Sequence, residues 1–155
     1  MKRTLNCEVI SVDEVPQEHS LGSKKLDVLI VDDERIIADT LATIISRSGY
    51  SVRTAYDGIR ALELAHAHHP SLVISDVVMP GMSGVELALT LERTIPECRI
   101  LLFSGQAATV DLLEQARQMG HEFAILTKPI HPSDMLRRVS EYVQPENDDR
   151  YVLTN

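Results

Sequence analysis

Several features that mark other classes of protein are scarce or missing in this chain of 155 residues. Only two cysteines occur, Cys7 and Cys98, and they lack the spacing of a metal site, so the reduced thiols of a cytoplasmic protein are expected. No apolar run is long enough to span a membrane, and the N-terminal segment lacks the apolar core of a signal peptide. The 15 basic residues are outnumbered by 23 acidic ones, and the net charge of −8 argues against direct binding of nucleic acid.

The pattern of apolar residues predicts one α/β domain over residues 26–143, where short β-branched runs alternate with segments of helical periodicity. A polar extension, residues 1–25, precedes it, and an acidic tail, residues 144–155, follows it. The predicted strands are 26–31, 51–55, 71–75, 99–103 and 122–127, and the predicted helices are 36–47, 57–69, 83–94, 107–119 and 133–143. Such alternation with short loops is typical of a parallel sheet that is covered by helices on both faces.

Polar side chains follow four of the five predicted strands. Asp32 and Asp33 come after the first strand, Asp76 after the third, Ser104 after the fourth and Lys128 after the fifth. Ligands of parallel sheets bind outside the carboxyl ends of the strands, so these side chains are expected to form one site. By contrast, the histidines near residue 68 are interpreted as a solvated helix end rather than as a metal site.

The composition of this site favours phosphoryl transfer. Three neighbouring carboxylates repel one another, and a hard divalent cation such as Mg²⁺, or Mn²⁺, would compensate. Lys128 adds a positive charge, and Ser104 adds a hydroxyl donor. These groups can stabilise negative charge added to Asp76, which can act as a nucleophile. No glycine-rich phosphate loop follows the first strand, so nucleotide binding is not expected.

Four motifs resemble those of the receiver domain of two-component response regulators, the family that includes CheY. They are VDDE at 31–34, DVVMPGMSG at 76–84, FSG at 103–105 and LTKP at 126–129. The resemblance covers about residues 26–143. It implies a flavodoxin-like sheet with the strand order 2-1-3-4-5. It also implies a phosphoacceptor switch in signal transduction rather than a turnover enzyme.

The resemblance also assigns roles to individual residues. Asp76 is the expected phosphoacceptor, and Ser104 and Lys128 are the expected phosphate contacts. Asp33 would bind Mg²⁺ directly and Asp32 through water, and Asp76 would itself be a metal ligand. The backbone carbonyl of Val78 would be a further ligand, and the bond between Lys128 and Pro129 would be cis.

The sequence departs from the family pattern at one position that matters for switching. The family usually has Tyr or Phe three residues before the lysine, where this chain has Ile125. Phe123 lies two residues earlier and is predicted on the same face of the fifth strand. The usual aromatic readout is therefore expected to be absent or shifted in register. In the family, the positions of Val78 and Gln106 flank the phosphoryl group, and the apolar Val78 predicts slow hydrolysis.

Three functions remain open from the sequence. The first is a single-domain receiver without an output domain, because only twelve residues follow Val143. It would accept its phosphoryl group from a histidine kinase or a phosphotransfer protein, and it would bind a target, or a second copy of itself, through helix four, strand five and helix five. The second is a receiver-like scaffold with altered switching. The third is a haloacid-dehalogenase-like phosphohydrolase, a class that needs an acid where Val78 stands.

Overall fold

The computed structural model describes residues 26–105 and 108–143. In this part of the chain strands and helices alternate strictly. The strands are β1 (Asp27–Val31), β2 (Ser51–Ala55), β3 (Leu72–Asp76), β4 (Arg99–Ser104) and β5 (Ala124–Thr127). The helices are α1 (Arg35–Arg47), α2 (Gly58–His68), α3 (Gly84–Thr94), α4 (Ala108–Gln118) and α5 (Pro132–Val143).

The strands form a single parallel sheet in the order β2-β1-β3-β4-β5. This order confirms the doubly wound architecture that the sequence predicted. The more polar strand β2 lies at one edge of the sheet, where partly exposed residues are tolerated. Strand β2 is added on one side of β1, and strands β3 to β5 are added on the other side, so the strand order reverses between β1 and β3. The carboxyl ends of these two strands therefore open into one crevice.

Both faces of the sheet are buried, and strand β1 shows how. Val28 and Ile30 pack with α1 and α5 in one core cluster, whereas Leu29 and Val31 pack with α2 and α3 in a second cluster. Successive side chains of a strand point to opposite faces, so a continuous apolar run supplies both clusters. A third cluster joins β4 to α3 and α4 through Leu102. The three clusters fix the strand ends that carry the site.

Helices α2 and α3 begin directly after the residues that open their predicted ranges, Asp57 and Ser83, and each of these two residues is an N-cap. Asp57 caps α2 by accepting a hydrogen bond from the backbone N–H of Arg60 at 2.7 Å. Ser83 and Glu86 form a reciprocal capping box at the start of α3. The residues at the end of α2, including His66, are exposed, in agreement with a solvated helix end.

Several boundaries differ from the prediction. Asp76 and Ser104 are the last residues of their strands rather than the first residues beyond them. Strand β5 begins at Ala124, so Phe123 is not part of it, which corrects the predicted start of this strand. The N–H of His121 donates to the carbonyl of Ala116, so the backbone just before the predicted start of β5 is bonded to the end of α4.

Helix α5 begins one residue earlier than predicted, at Pro132. Proline suits the first turn of a helix, where its missing N–H would have no intrahelical partner. The predictions for the extension 1–25, for the tail 144–155 and for Gln106 lie outside the described residues.

Candidate functional site

Three carboxylates meet at the carboxyl edge of the sheet. Asp76 ends β3, and Asp32 and Asp33 follow β1. One carboxylate oxygen from each lies within 4.8 Å of the other two. Asp32 and Asp76 are buried and Asp33 is exposed, so a bound ion could keep water on one side. An all-oxygen donor set that is open to water on one side fits Mg²⁺ or Mn²⁺.

Lys128 joins this cluster from the end of β5. Its Nζ lies 3.3 Å from Oδ2 of Asp32 and 3.5 Å from Oδ1 of Asp76. The ammonium group also lies 4.5 Å from the centre of the Phe103 ring, which limits where it can go. The peptide bond between Lys128 and Pro129 is cis, as the resemblance implied. Lys128 thus shares one site with Asp76, about 50 positions earlier in the sequence, and with Asp32, about 100 positions earlier.

The electrostatics of Asp76 reflect its burial. Burial raises the pKa of the Asp76 carboxyl above its ordinary value; the neighbouring Lys128 opposes this rise, and the charge of Asp32 adds to it. The ionised form of Asp76 therefore depends on positive charge beside it. A divalent cation held by the same acids would supply more of that charge.

The backbone that carries Asp76 is clamped by α3. The N–H of Gly84, the first residue of α3, donates to the carbonyl of Val77 at 2.8 Å, and the N–H of Val77 donates to the carbonyl of Phe103 at 3.3 Å. A Cβ atom at position 84 would clash with the carbonyl oxygen of Asp76. Glycine is therefore required here for the close approach of helix and strand.

Ser104 ends β4 next to Phe103, the residue that pairs with Asp76 in the sheet. Its hydroxyl is buried and forms a hydrogen bond with the hydroxyl of Thr109, in the first turn of α4. Thr109 was not predicted from the sequence, because a threonine near the start of a helix does not by itself indicate a buried contact with a strand end. The backbone carbonyl of Ser104 accepts from the N–H of Lys128 at 3.0 Å, which ties β4 to β5 beside the site.

Asp33, Asp76 and Lys128 line a cleft of about 540 Å³ that opens to solvent. Val78 contributes to its wall. The cleft is lined by Asp33, Glu34, Ile37, Asp76, Val78, Met79, Pro80, Gly105 and Lys128.

Ile125 and Phe123 lie away from this cleft, in a shallow groove of about 280 Å³ between α4 and β5. The Ile125 side chain is 40% exposed, and its main chain pairs with Leu102 of β4. Phe123 is partly buried and stacks on His121 with ring centres 6.3 Å apart. The structure thus places both residues on the α4–β5 side of the molecule, with Phe123 just before the strand.

The doubly wound parallel sheet, with acids, a lysine and a hydroxyl at its carboxyl edge, is a flavodoxin-like α/β domain with its polar site where such sheets bind ligands. The model of the response regulator receiver domain family matches residues 28–140. The chain belongs to this family. Its members are phosphoacceptor switches of two-component signal transduction, they bind Mg²⁺ through acidic residues, and they interact with histidine kinases or phosphotransfer proteins.

Solved structures with similar folds agree with this assignment. The chemotaxis protein CheY4 of Vibrio cholerae is 28% identical, with a TM-score of 0.67 over 76% of this chain and 98% of that chain. The two-component transcriptional regulator AraC of Clostridium phytofermentans is 32% identical, with a TM-score of 0.65 over 77% and 92%. The receiver domain of NtrX from Brucella abortus is 28% identical, with a TM-score of 0.66 over 75% and 97%.

Family membership favours the receiver over the haloacid-dehalogenase-like alternative.

Among the described residues, the longest helices are too short or too polar to cross a membrane.

Proposed function

We propose that this chain is a cytoplasmic response regulator that accepts a phosphoryl group on Asp76. Its receiver domain would occupy residues 26–143, between the extension 1–25 and the tail 144–155. One observation carries the proposal: the Asp76 carboxylate lies within 4.8 Å of the carboxylates of Asp32 and Asp33 and 3.5 Å from the Lys128 ammonium. Receivers place this combination of groups around the acceptor.

In the proposed reaction a carboxylate oxygen of Asp76 attacks phosphorus. An O–P bond forms, the P–N bond of a donor phosphohistidine breaks, and the imidazole leaves and takes up a proton. Asp33, Asp32 through water, and the backbone carbonyl of Val78 would hold Mg²⁺, which when bound neutralises charge on the phosphoryl oxygens.

The remaining polar groups would hold the product. Lys128 now contacts the carboxylates of both Asp32 and Asp76, and its ammonium would turn to an oxygen of the new phosphoryl group. The Ser104 hydroxyl would donate a hydrogen bond to a second phosphoryl oxygen. Gln106 and Val78 would flank the group on the side from which water attacks.

An apolar groove beside the cleft supports a protein as the phosphoryl donor. The groove has a volume of about 590 Å³ and shares Gly105 and Lys128 with the site. Ile36 in the first turn of α1 borders it and is 82% exposed, so this side chain extends the apolar lining of the groove to the surface. A histidine kinase or a phosphotransfer protein that covers Ile36 would place its phosphohistidine over the cleft.

The phosphorylated protein would act by binding a partner. The proposed surface is formed by α4, β5 and α5, and it includes the α4–β5 groove with Ile125. The partner is a downstream protein or, through the same face, a second copy of the chain.

Mass spectrometry after incubation with acetyl phosphate and Mg²⁺ tests the chemistry. We expect one phosphoryl adduct on the wild-type chain and none on Asp76→Asn. Asp39→Asn is the matched control, since Asp39 is an exposed acid on α1 that bonds Tyr56, and it should keep the adduct. A wild-type chain that forms no adduct would support a scaffold that no longer accepts phosphate.

The donor is tested separately with the variant Ile36→Ser. It should slow phosphoryl transfer from a phosphorylated histidine phosphotransfer domain and leave the rate with acetyl phosphate unchanged. If Ile36→Ser accepts the phosphoryl group from the protein donor at the wild-type rate, the donor does not bind at the apolar groove beside the cleft. Ile59→Ser, which removes another exposed isoleucine on α2, is the control.

A further inference from the structure

The contact between Ser104 and Thr109 links the acceptor site to helix α4. Both side chains are only 6% exposed, and the two hydroxyls bond to each other. Ser104 belongs to the sheet, whereas Thr109 lies in the first turn of α4. The contact therefore joins two elements whose relative position a partner could sense.

The contact between Ser104 and Thr109 depends on which partner receives the single hydroxyl proton of Ser104. Each hydroxyl has one proton to donate and can accept two hydrogen bonds. A Ser104 hydroxyl that donates to a phosphoryl oxygen can no longer donate to Thr109, but it can still accept. The Thr109 hydroxyl must then be the donor, or the buried contact is lost.

We propose that Thr109 is a positioning residue for Ser104 and that it couples phosphorylation of Asp76 to helix α4. This inference rests on the proposed function. In the phosphorylated state Thr109 donates to Ser104 and Ser104 donates to the phosphoryl group, with no proton transferred between heavy atoms. Successive hydrogen bonds of this kind polarise and strengthen one another. The first turn of α4 is therefore held more firmly to the sheet when Asp76 is phosphorylated.

The side chain of Ile125 cannot perform this role by hydrogen bonding. It is apolar, it is 40% exposed, and it lies on the outer side of the α4–β5 groove. Thr109, in contrast, is buried and already bonded to the hydroxyl that would contact the phosphoryl group. A change in the position of Thr109 would therefore affect the α4 side of the groove, which includes Val110 and Leu113.

Amide hydrogen exchange by NMR on the full chain tests this coupling. Exchange of Leu112 to Glu114 is measured with Mg²⁺ alone and with Mg²⁺ plus beryllofluoride, a phosphoryl analogue. These amides bond into the first turns of α4, so their protection reports how firmly that end is held. We expect beryllofluoride to slow their exchange by about two- to tenfold in the wild type, the factor that corresponds to one hydrogen bond.

Variants separate the hydroxyl of Thr109 from its packing. Thr109→Val keeps the shape of the side chain and should abolish the slowing, whereas Thr109→Ser keeps the hydroxyl and should retain it. Thr40→Val, which removes an exposed hydroxyl that donates to the Ile36 carbonyl within α1, should respond as the wild type does. If circular dichroism shows that Thr109→Val is unfolded, Thr109→Ala takes its place with the same expectation.

Two results would overturn the inference. One is a Thr109→Val protein whose α4 responds as the wild type does, and the other is a wild-type α4 that does not respond although acetyl phosphate forms an adduct on Asp76. The adduct is measured on every variant by mass spectrometry. Its absence from the wild type would instead contradict the proposed function, so the two failures are distinguishable.

Discussion

Replacing Gly84 by alanine should damage both the fold and the site, although alanine normally favours a helix. Gly84 is the first residue of α3, where alanine would stabilise the helix by up to about 1 kcal/mol if there were room for its methyl group. There is no room. The added Cβ would clash with the carbonyl oxygen of Asp76, and it would lie 2.9 Å from the carbonyl carbon of Asp76 and 3.0 Å from Cα of Val77.

The size of the effect follows from these distances. Carbon atoms normally approach to about 3.5–4.0 Å, so helix and strand must separate by roughly 1 Å. Overpacking of this kind costs about 1–3 kcal/mol, and weakening the 2.8 Å hydrogen bond from Gly84 to Val77 adds about 1 kcal/mol. Gly84→Ala should therefore lower the free energy of unfolding by about 2–4 kcal/mol. A displacement of about 1 Å at a reacting group can also slow a reaction by about a hundredfold.

Urea denaturation and the rate of adduct formation with acetyl phosphate measure the two effects. Gly49→Ala is the matched control, because Gly49 has a φ of +95° and no atom within 4 Å of the added Cβ. It should cost about 1–2 kcal/mol through backbone strain alone and leave the phosphorylation rate unchanged. A Gly84→Ala protein that is as stable as the wild type, or more stable, would refute the close approach of α3 to Asp76.

Three further predictions concern the same region. Burial raises the pKa of Asp76, so the Asp76 carboxyl stays protonated to a higher pH in the folded protein than in the unfolded chain. The free energy of unfolding therefore falls as the pH rises through the pKa of the folded state. In urea denaturation with EDTA present, Asp76→Asn should therefore be more stable than the wild type at pH 7, and the difference should shrink towards pH 3. A variant that is less stable than the wild type at pH 7 would contradict this. Val78→Asn should speed loss of the phosphoryl group from Asp76, because an amide in the cleft can bond the attacking water; an unchanged lifetime of the adduct would count against this role. Ser83→Ala removes the capping box of α3 and should cost about 1 kcal/mol in urea denaturation, and a loss below about 0.3 kcal/mol would show that the cap contributes little.

The fold was largely predictable because its signals are local. Continuous apolar runs such as Val28–Val31 predict strands that are buried on both faces, and the resemblance supplied the order in which they pair. The boundary of β5 was less predictable. Whether its first residues pair with β4 depends on where the backbone of His121 bonds, and that partner lies in α4.

The site was predictable as a set of residues but not as a geometry. Carboxyl ends of parallel strands share one edge, so the sequence placed Asp76 near Asp32 and Lys128. The roles of Ser104 and Val78 came from the resemblance and remain proposals. No pattern in the sequence indicated a role for Thr109, since its contact with Ser104 depends on how α4 lies against the sheet.

By itself, the sequence determined the alternation of strands and helices and the chemical character of the edge where the strands end. Both follow from periodicity and from residue type, which are properties of short segments. Only the tertiary structure decided that the Lys128 ammonium contacts two carboxylates, that α3 leaves no space for a Cβ at Gly84, and that a buried hydroxyl joins Ser104 to α4. These are distances between segments remote in the chain, and they are set by sheet register and helix packing, which no local pattern encodes.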